Sequence, residues 1–174
     1  MMVEMTVARL GLDSSTNSYV VILQEKGGAR LLPIWIGQPE AESIALQLNQ
    51  IRRERPLTHD LCKNLIVGLG GTVRRVQITK VQKSTYFAEL HVLRGDQLVQ
   101  IDARPSDSIA IALRFTAPIF ADVSLLAGGD VDASDEPFTV GPSDVDRREE
   151  ELRAEQLKQY LENLGPEDFG KFTP

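Results

Sequence analysis

The stretch Asp102-Ala103-Arg104-Pro105-Ser106-Asp107-Ser108 places two carboxylates, one guanidinium and two hydroxyls within seven positions. Carboxylates can hold a divalent cation or move a proton, and an arginine fork can clamp a phosphate oxygen. Helix capping by Ser106 or Asp107 is the plainer account of one residue. It leaves Asp102, Arg104 and the second hydroxyl unexplained. A second cluster is Arg55-Pro56-Leu57-Thr58-His59-Asp60. It holds a histidine, which titrates near neutral pH and so suits a general base or a metal ligand. On a helix, His59 and Asp60 point about 100° apart and cannot chelate one ion unaided. The plainer account is a helix start capped by Thr58, with His59 exposed. The third cluster, Trp35-Ile36-Gly37-Gln38-Pro39-Glu40-Ala41-Glu42, joins a strand end to a helix N-terminus, a place where anions bind. Its two first-turn glutamates would oppose a phosphate unless they hold a cation. Otherwise they simply complement the helix dipole.

Each cluster needs an element on either side to position it. Alternation of apolar and polar residues predicts a strand over 3–13, and a run of β-formers around Tyr19-Val20-Val21-Ile22-Leu23 predicts one over 17–25, with a turn at Lys26-Gly27-Gly28-Ala29 before a further strand over 31–36. Pro39 fits the first helical position, and Ile44, Leu48 and Ile51 follow at helical spacing. This predicts a helix ending in the basic run Arg52-Arg53-Glu54-Arg55. A second helix is expected from Thr58, with Leu57 and Cys62 as a hydrophobic staple, ending at Gly68 or at Gly70-Gly71. Three strands follow over 72–82, 85–93 and 97–103, turning at Lys83-Ser84 and Arg94-Gly95-Asp96. Next comes a helix over 106–115 that is apolar almost all round and therefore buried, then a short extended piece over 117–126. The expected class is α+β: a mostly antiparallel sheet with packed helices, plus a C-terminal charged helix. Residues 1–126 read as one domain, 127–142 as an acidic linker, and 143–174 as a helix and tail with a narrow apolar stripe at Leu157, Tyr160, Leu161 and Leu164.

Bulk properties narrow the function. The chain of 174 residues carries a net charge of −6, but unevenly. Residues 1–126 hold 14 Lys+Arg against 12 Asp+Glu, and residues 127–174 hold 5 against 13. A mildly basic body is thus joined to an acidic segment, so the total conceals any local cationic patch. With one cysteine there is no internal disulfide, and Cys62 reads as a small buried hydrophobe. His91, in the middle of a strand, reads as structural. There is no nucleophile-elbow, P-loop, HExxH or paired CxxC motif. Any metal would be held mainly by carboxylates, which favours Mg²⁺ or Mn²⁺. The amino terminus lacks the pattern of a signal peptide and no apolar run approaches membrane-spanning length, so a soluble protein of the cytoplasm is expected.

The runs Leu32-Pro33-Ile34-Trp35-Ile36-Gly37-Gln38-Pro39-Glu40-Ala41, Arg55-Pro56-Leu57-Thr58-His59-Asp60-Leu61 and Asp102-Ala103-Arg104-Pro105-Ser106-Asp107-Ser108-Ile109-Ala110 resemble, in order and spacing, the bifunctional nuclease domain family. The likeness spans about residues 1–126, and the ending Leu164-Gly165-Pro166-Glu167-Asp168-Phe169 is also similar to tails of that family. The resemblance implies an α+β fold, a homo-oligomer (a dimer), and hydrolysis of DNA and RNA without marked sequence preference. Joined to the chemistry of the clusters, it makes His59, Asp102, Arg104 and Asp107 the candidate catalytic residues. Glu40, Asp102 and Asp107 are the candidate ligands of a divalent Mg²⁺ or Mn²⁺. Arg52, Arg53, Arg55 and Ser106 are the candidate substrate contacts, with Arg74 and Arg75 as further cations for the nucleic-acid backbone. The competing expectation is a non-catalytic oligomeric binding or regulatory module, in which the same polar rows form a dimer seam or an anion pocket.

Overall fold

Alternating apolar side chains need a second layer to cover one face of the strands, and three helices provide it. The structure, a computed structural model, describes residues 1–13 and 16–126. Its elements are β1 (Met2–Asp13), β2 (Ser18–Glu25), β3 (Leu31–Ile36), α1 (Gln38–Leu48), α2 (Thr58–Gly68), β4 (Gly71–Gln82), β5 (Thr85–Arg94), β6 (Gln97–Ala103), α3 (Pro105–Phe115) and β7 (Ile119–Asp122), followed by a 3₁₀ turn at Val123–Leu125. The α+β class and the order of elements are as the sequence predicts. The expected linker and charged C-terminal helix lie outside the described residues.

The strands form one sheet in the order β3-β2-β1-β7-β4-β5-β6. Two antiparallel meanders, β1-β2-β3 and β4-β5-β6, are joined by β7, which runs antiparallel to β1 (Val3↔Ala121) and parallel to β4 (Gln77↔Phe120). Val21, Leu23 and Leu32 of the first meander and Val76, Ile78 and Ala88 of the second have essentially no exposed surface. Burial of each large aliphatic side chain there is worth about 1.5–3 kcal/mol. Helix α3 lies at the centre of the helical layer and touches α1, α2, β3, β4 and β5. Its Ile109, Ala110, Ile111 and Ala112 are buried, which confirms the reading of an all-round apolar helix.

Several local expectations are corrected. Helix α1 ends at Leu48, before the basic run. Ile51 N–H bonds the Leu46 carbonyl at 2.9 Å and Gln50 N–H that of Gln47 at 3.2 Å, with Gln50 left-handed at φ 57°. This paired closure is a Schellman stop, so 52–55 become exposed loop. Leu57, not Thr58, is the N-cap of α2. Its own N–H donates to the Asp60 carboxylate at 3.0 Å, so the reciprocal half of a capping box holds this end. Arg104 is the N-cap of α3, with Pro105 opening the helix, and neither Ser106 nor Asp107 caps it. Cys62 is half-buried rather than enclosed. In α2 only His59 is buried, while Leu61, Leu65 and Val67 are each more than half exposed.

Candidate active site

Each of the three polar clusters sits at a helix N-terminus, and α3 packs against both other helices, so the fold brings the three starts to one place. The β6–α3 junction delivers Arg104 and Asp107. Asp107 stands one turn into α3, where it faces back to Arg104 at i,i+3 spacing. Arg104 Nε donates to Asp107 Oδ2 at 2.7 Å and Nη2 to Oδ1 at 3.1 Å. The same Nη2 donates to Glu40 Oε1 in the first turn of α1 at 2.6 Å. Gly37 leaves the space that Glu40 occupies on folding back, since a Cβ there would lie 2.5 Å from its Oε2. From α2, His59 Nε2 meets Asp107 Oδ1 at 3.0 Å. Its other nitrogen, Nδ1, meets Ser43 Oγ of α1 at 2.8 Å. Glu40, His59, Arg104 and Asp107 therefore converge, and Ser43 joins them.

The protonation pattern follows from these contacts. Burial opposes ionisation of Asp107, but hydrogen bonds from Arg104 and His59 outweigh it and hold the carboxyl below its ordinary value. An ionised Asp107 accepts only, so Nε2 of His59 carries the proton it shares. In neutral His59, Nδ1 then holds a lone pair and accepts the Ser43 hydroxyl. The result is a relay, Ser43–His59–Asp107, with His59 only 8% exposed. Arg104 is held firmly protonated by Asp107 and then by Glu40. Its side chain stays 66% exposed and so remains open to an anion. Ser43, Glu40, His59, Arg104 and Asp107 line one cleft of about 490 Å³.

A second network locks the relay in place. The buried Arg114 guanidinium of α3 donates to Asp60 Oδ1 of α2 at 2.6 Å and to the Ala110 carbonyl at 2.9 Å, and it reaches the Ser43 carbonyl at 3.5 Å. One side chain thus ties all three helices beside His59. Burial works against the Asp60 carboxylate, and Arg114 with the Leu57 N–H lowers its pKa despite that. Sequence reasoning missed Ser43 and Arg114, because each reads as an ordinary helix residue. The one available signal was a lone arginine inside an otherwise apolar helix, where a charge needs a buried partner.

Comparison with known proteins identifies the family. Residues 21–134 match the family described as the bifunctional nuclease domain. The chain belongs to the bifunctional nuclease domain family. It is 40% identical over 169 residues to an uncharacterized protein of Mycobacterium tuberculosis, a match covering 95% of this chain and 97% of that protein. It is also 30% identical over 110 residues to Bifunctional nuclease 1 of Oryza sativa and 33% identical over 106 residues to Bifunctional nuclease 2 of Arabidopsis thaliana. Those plant matches cover 62% and 59% of this chain but only 33% and 32% of the relatives, so about two thirds of each plant protein lies outside the likeness. Membership supports nuclease chemistry at the level of the family.

As a member of the bifunctional nuclease domain family, the chain places its remaining candidate residues less uniformly. Asp102 does not join the cluster. It stands exposed on edge strand β6, paired across to Glu89. Ser106 is 7% exposed and faces a neighbouring cleft. Arg52 and Arg53 line a third cleft, of about 410 Å³, with Lys63 and Arg114. It adjoins the cleft of the relay through Leu46, Pro56 and Leu57. Arg55 is exposed in the same loop, and Arg74 and Arg75 are exposed on β4. The expected ligand set Glu40, Asp102 and Asp107 is not assembled. Among the described residues no group of three His, Cys, Asp or Glu side chains is placed to hold a metal ion. The physical reason is that Asp107 commits both carboxylate oxygens and Glu40 its Oε1 to Arg104, while Asp102 sits on the strand. As placed, the donors do not fit a metal. No helix among the described residues is long and apolar enough to cross a membrane.

Proposed function

We propose that this chain hydrolyses the phosphodiester bonds of DNA and RNA without sequence preference, in the cytoplasm, at the cleft of Glu40, Ser43, His59, Arg104 and Asp107. The observation that carries the reading is the junction of an exposed guanidinium with a buried histidine–carboxylate pair in one cleft. A phosphate oxygen meets the open side of Arg104, which stabilises the charge that grows on it. The attacking water passes a proton to Ser43 as Ser43 passes its own to Nδ1 of His59, and Asp107 steadies the imidazolium. The water oxygen bonds to phosphorus, and the ester oxygen departs with a proton from solvent. No group in this cleft reads a base, which suits cleavage without sequence preference. The cations of the adjoining cleft, Arg52 and Arg53, then hold a neighbouring phosphate.

The test uses rigorously purified protein on single-stranded DNA and RNA with Mg²⁺, Mn²⁺ or EDTA, beside His59→Ala and Arg104→Ala purified identically. Loss of cleavage in both variants is expected, and equal cleavage by all three proteins would overturn the proposal. The chelator arm measures the Mg²⁺ or Mn²⁺ requirement. To meet such a requirement, Asp107 has to release Arg104. The non-catalytic reading draws on one observation: both nitrogens of His59 and the oxygens of Asp107 are already satisfied within the protein, as in a structural lock. Binding without turnover in the same assay would select it. A homo-oligomer, a dimer, belongs to either reading. Leu61 and Leu65 on α2, with Val99 and Ile101 on edge strand β6, are the exposed apolar surface it would use. Leu61→Glu with Leu65→Glu should lower the mass in solution, and an unchanged mass would remove that surface from consideration.

A further inference from the structure

Arg104 borders two clefts. One holds the Ser43–His59–Asp107 relay, and the other, of about 390 Å³, lies between the β3–α1 junction and the tip of the β4–β5 hairpin. The second cleft contains the aromatic side chains Trp35 and Tyr86 together with hydroxyls of Ser18, Ser84 and Thr85, and among the described residues Arg104 is the only charged one in its lining. Its volume falls within the range of sites for small organic ligands, about 300–1,000 Å³.

Trp35 is 54% exposed. A tryptophan on an edge strand gains nothing for the core from that position, and leaving so much of the ring in water forgoes burial energy. Its indole N–H points to Asp13 Oδ2 at 3.3 Å, which pins the ring by its edge. Tyr86 is brought to the cleft by the β4–β5 turn, whose Lys83 and Ser84 both hold positive φ, 48° and 60°. Consecutive left-handed residues make the tight two-residue connection whose twist matches the strands, so the hairpin runs straight to its tip and Tyr86 sits just past the turn.

We infer that this cleft is a base-binding subsite, which makes the substrate single-stranded nucleic acid. The inference deepens the nuclease reading and rests on it. A phosphate on Arg104 leaves its attached nucleoside on one side of the guanidinium or the other. On the side of Trp35 and Tyr86 the base finds flat apolar rings, hydroxyls and, among the described residues, no carboxylate in the lining. Every base has a π-face, so stacking there is tolerant of sequence. A base paired within a duplex has its faces covered by its neighbours and cannot enter.

Trp35 is the only tryptophan of the chain, so its emission reports this cleft alone. The experiment titrates the full chain with a phosphorothioate single-stranded 8-mer, with the same 8-mer in a duplex, and with an abasic 8-mer of equal charge. Saturable quenching by the single strand, and by neither of the others, is the expected result. Anisotropy of a labelled single strand should show Tyr86→Ala weakening binding about 5- to 100-fold. No quenching by any probe, or equal quenching by duplex or abasic strand, would overturn the inference. Quenching only by a partner protein would reassign the cleft and overturn it as well. The readout is binding. A chain that is quenched but does not cleave therefore retracts the nuclease reading alone, and a chain that cleaves without quenching retracts this one.

Discussion

Replacing Asp107 by Asn tests the central geometry without changing its shape. The carboxylate accepts three hydrogen bonds, from Arg104 Nε at 2.7 Å, Arg104 Nη2 at 3.1 Å and His59 Nε2 at 3.0 Å. A charged hydrogen bond is worth about 1.5–3 kcal/mol when shielded. The Arg104 side chain is 66% exposed, so its two bonds fall to the surface range of about 0.2–1 kcal/mol. The His59 side chain is 10% exposed and keeps the full value for its bond. These contributions add to about 2–5 kcal/mol, an upper bound because the amide oxygen keeps a neutral bond to His59, and the corresponding fall in Tm is at most roughly 4–20 °C. The amide can still accept from Nε2 through its oxygen, but it no longer opposes the charge of an imidazolium. In the serine-protease triad the matching change costs about 10⁴-fold in kcat, and general acid–base catalysis as a whole contributes about 10²–10⁴-fold. We expect cleavage of DNA and RNA to fall by a common factor in that range, measured on labelled single strands, with melting followed by circular dichroism. Full cleavage at a lowered Tm would leave Asp107 a purely structural role. If Tm and cleavage both stay unchanged, the contacts are not as described and the relay argument fails.

Arg114→Met should destabilise the chain by about 2–4 kcal/mol, because it strips Asp60 of its buried partner while keeping the volume. Hydrogen exchange should then show α1 and α2 loosening together, and loosening of α3 alone would refute the bracket. The pH dependence follows from Asp60 and Asp107, both held below the ordinary carboxylate value of about 3.9 in the folded chain. The unfolded chain takes up their protons first as pH falls. Their stabilisation is thus complete well above about pH 4 and is lost as pH drops through the folded values. Urea titrations should show stability falling below about pH 4, and in the Asp107→Asn, Asp60→Asn pair that fall should be smaller. An equal fall would show that other carboxylates set it.

The elements were legible in the residues because their causes are local. The β-formers of Tyr19–Leu23, the apolar spacing of Val73–Ile78, the turn at Lys83-Ser84 and the apolar helix after Pro105 each depend on neighbours a few positions away, and the structure has all of them. Boundaries were less legible. The basic run after Leu48 looked helical until the Schellman closure at Gln50 and Ile51 removed it. Family membership was readable too, because three motifs recur in order. Three things came only from tertiary structure. Strand β7 looked like a short extended piece, yet it is the strand that joins the two meanders. Asp102 lies five residues before Asp107 and carries the same chemistry, but it ends on a sheet edge while Asp107 turns inward on a helix. Ser43 and Arg114 carried no mark of function in the chain. They acquire it by packing α3 against α1 and α2, which closes contacts across 16 and 54 positions of sequence. Propensity acts between neighbours, whereas a site is made by groups whose separation along the chain says nothing of their separation in space.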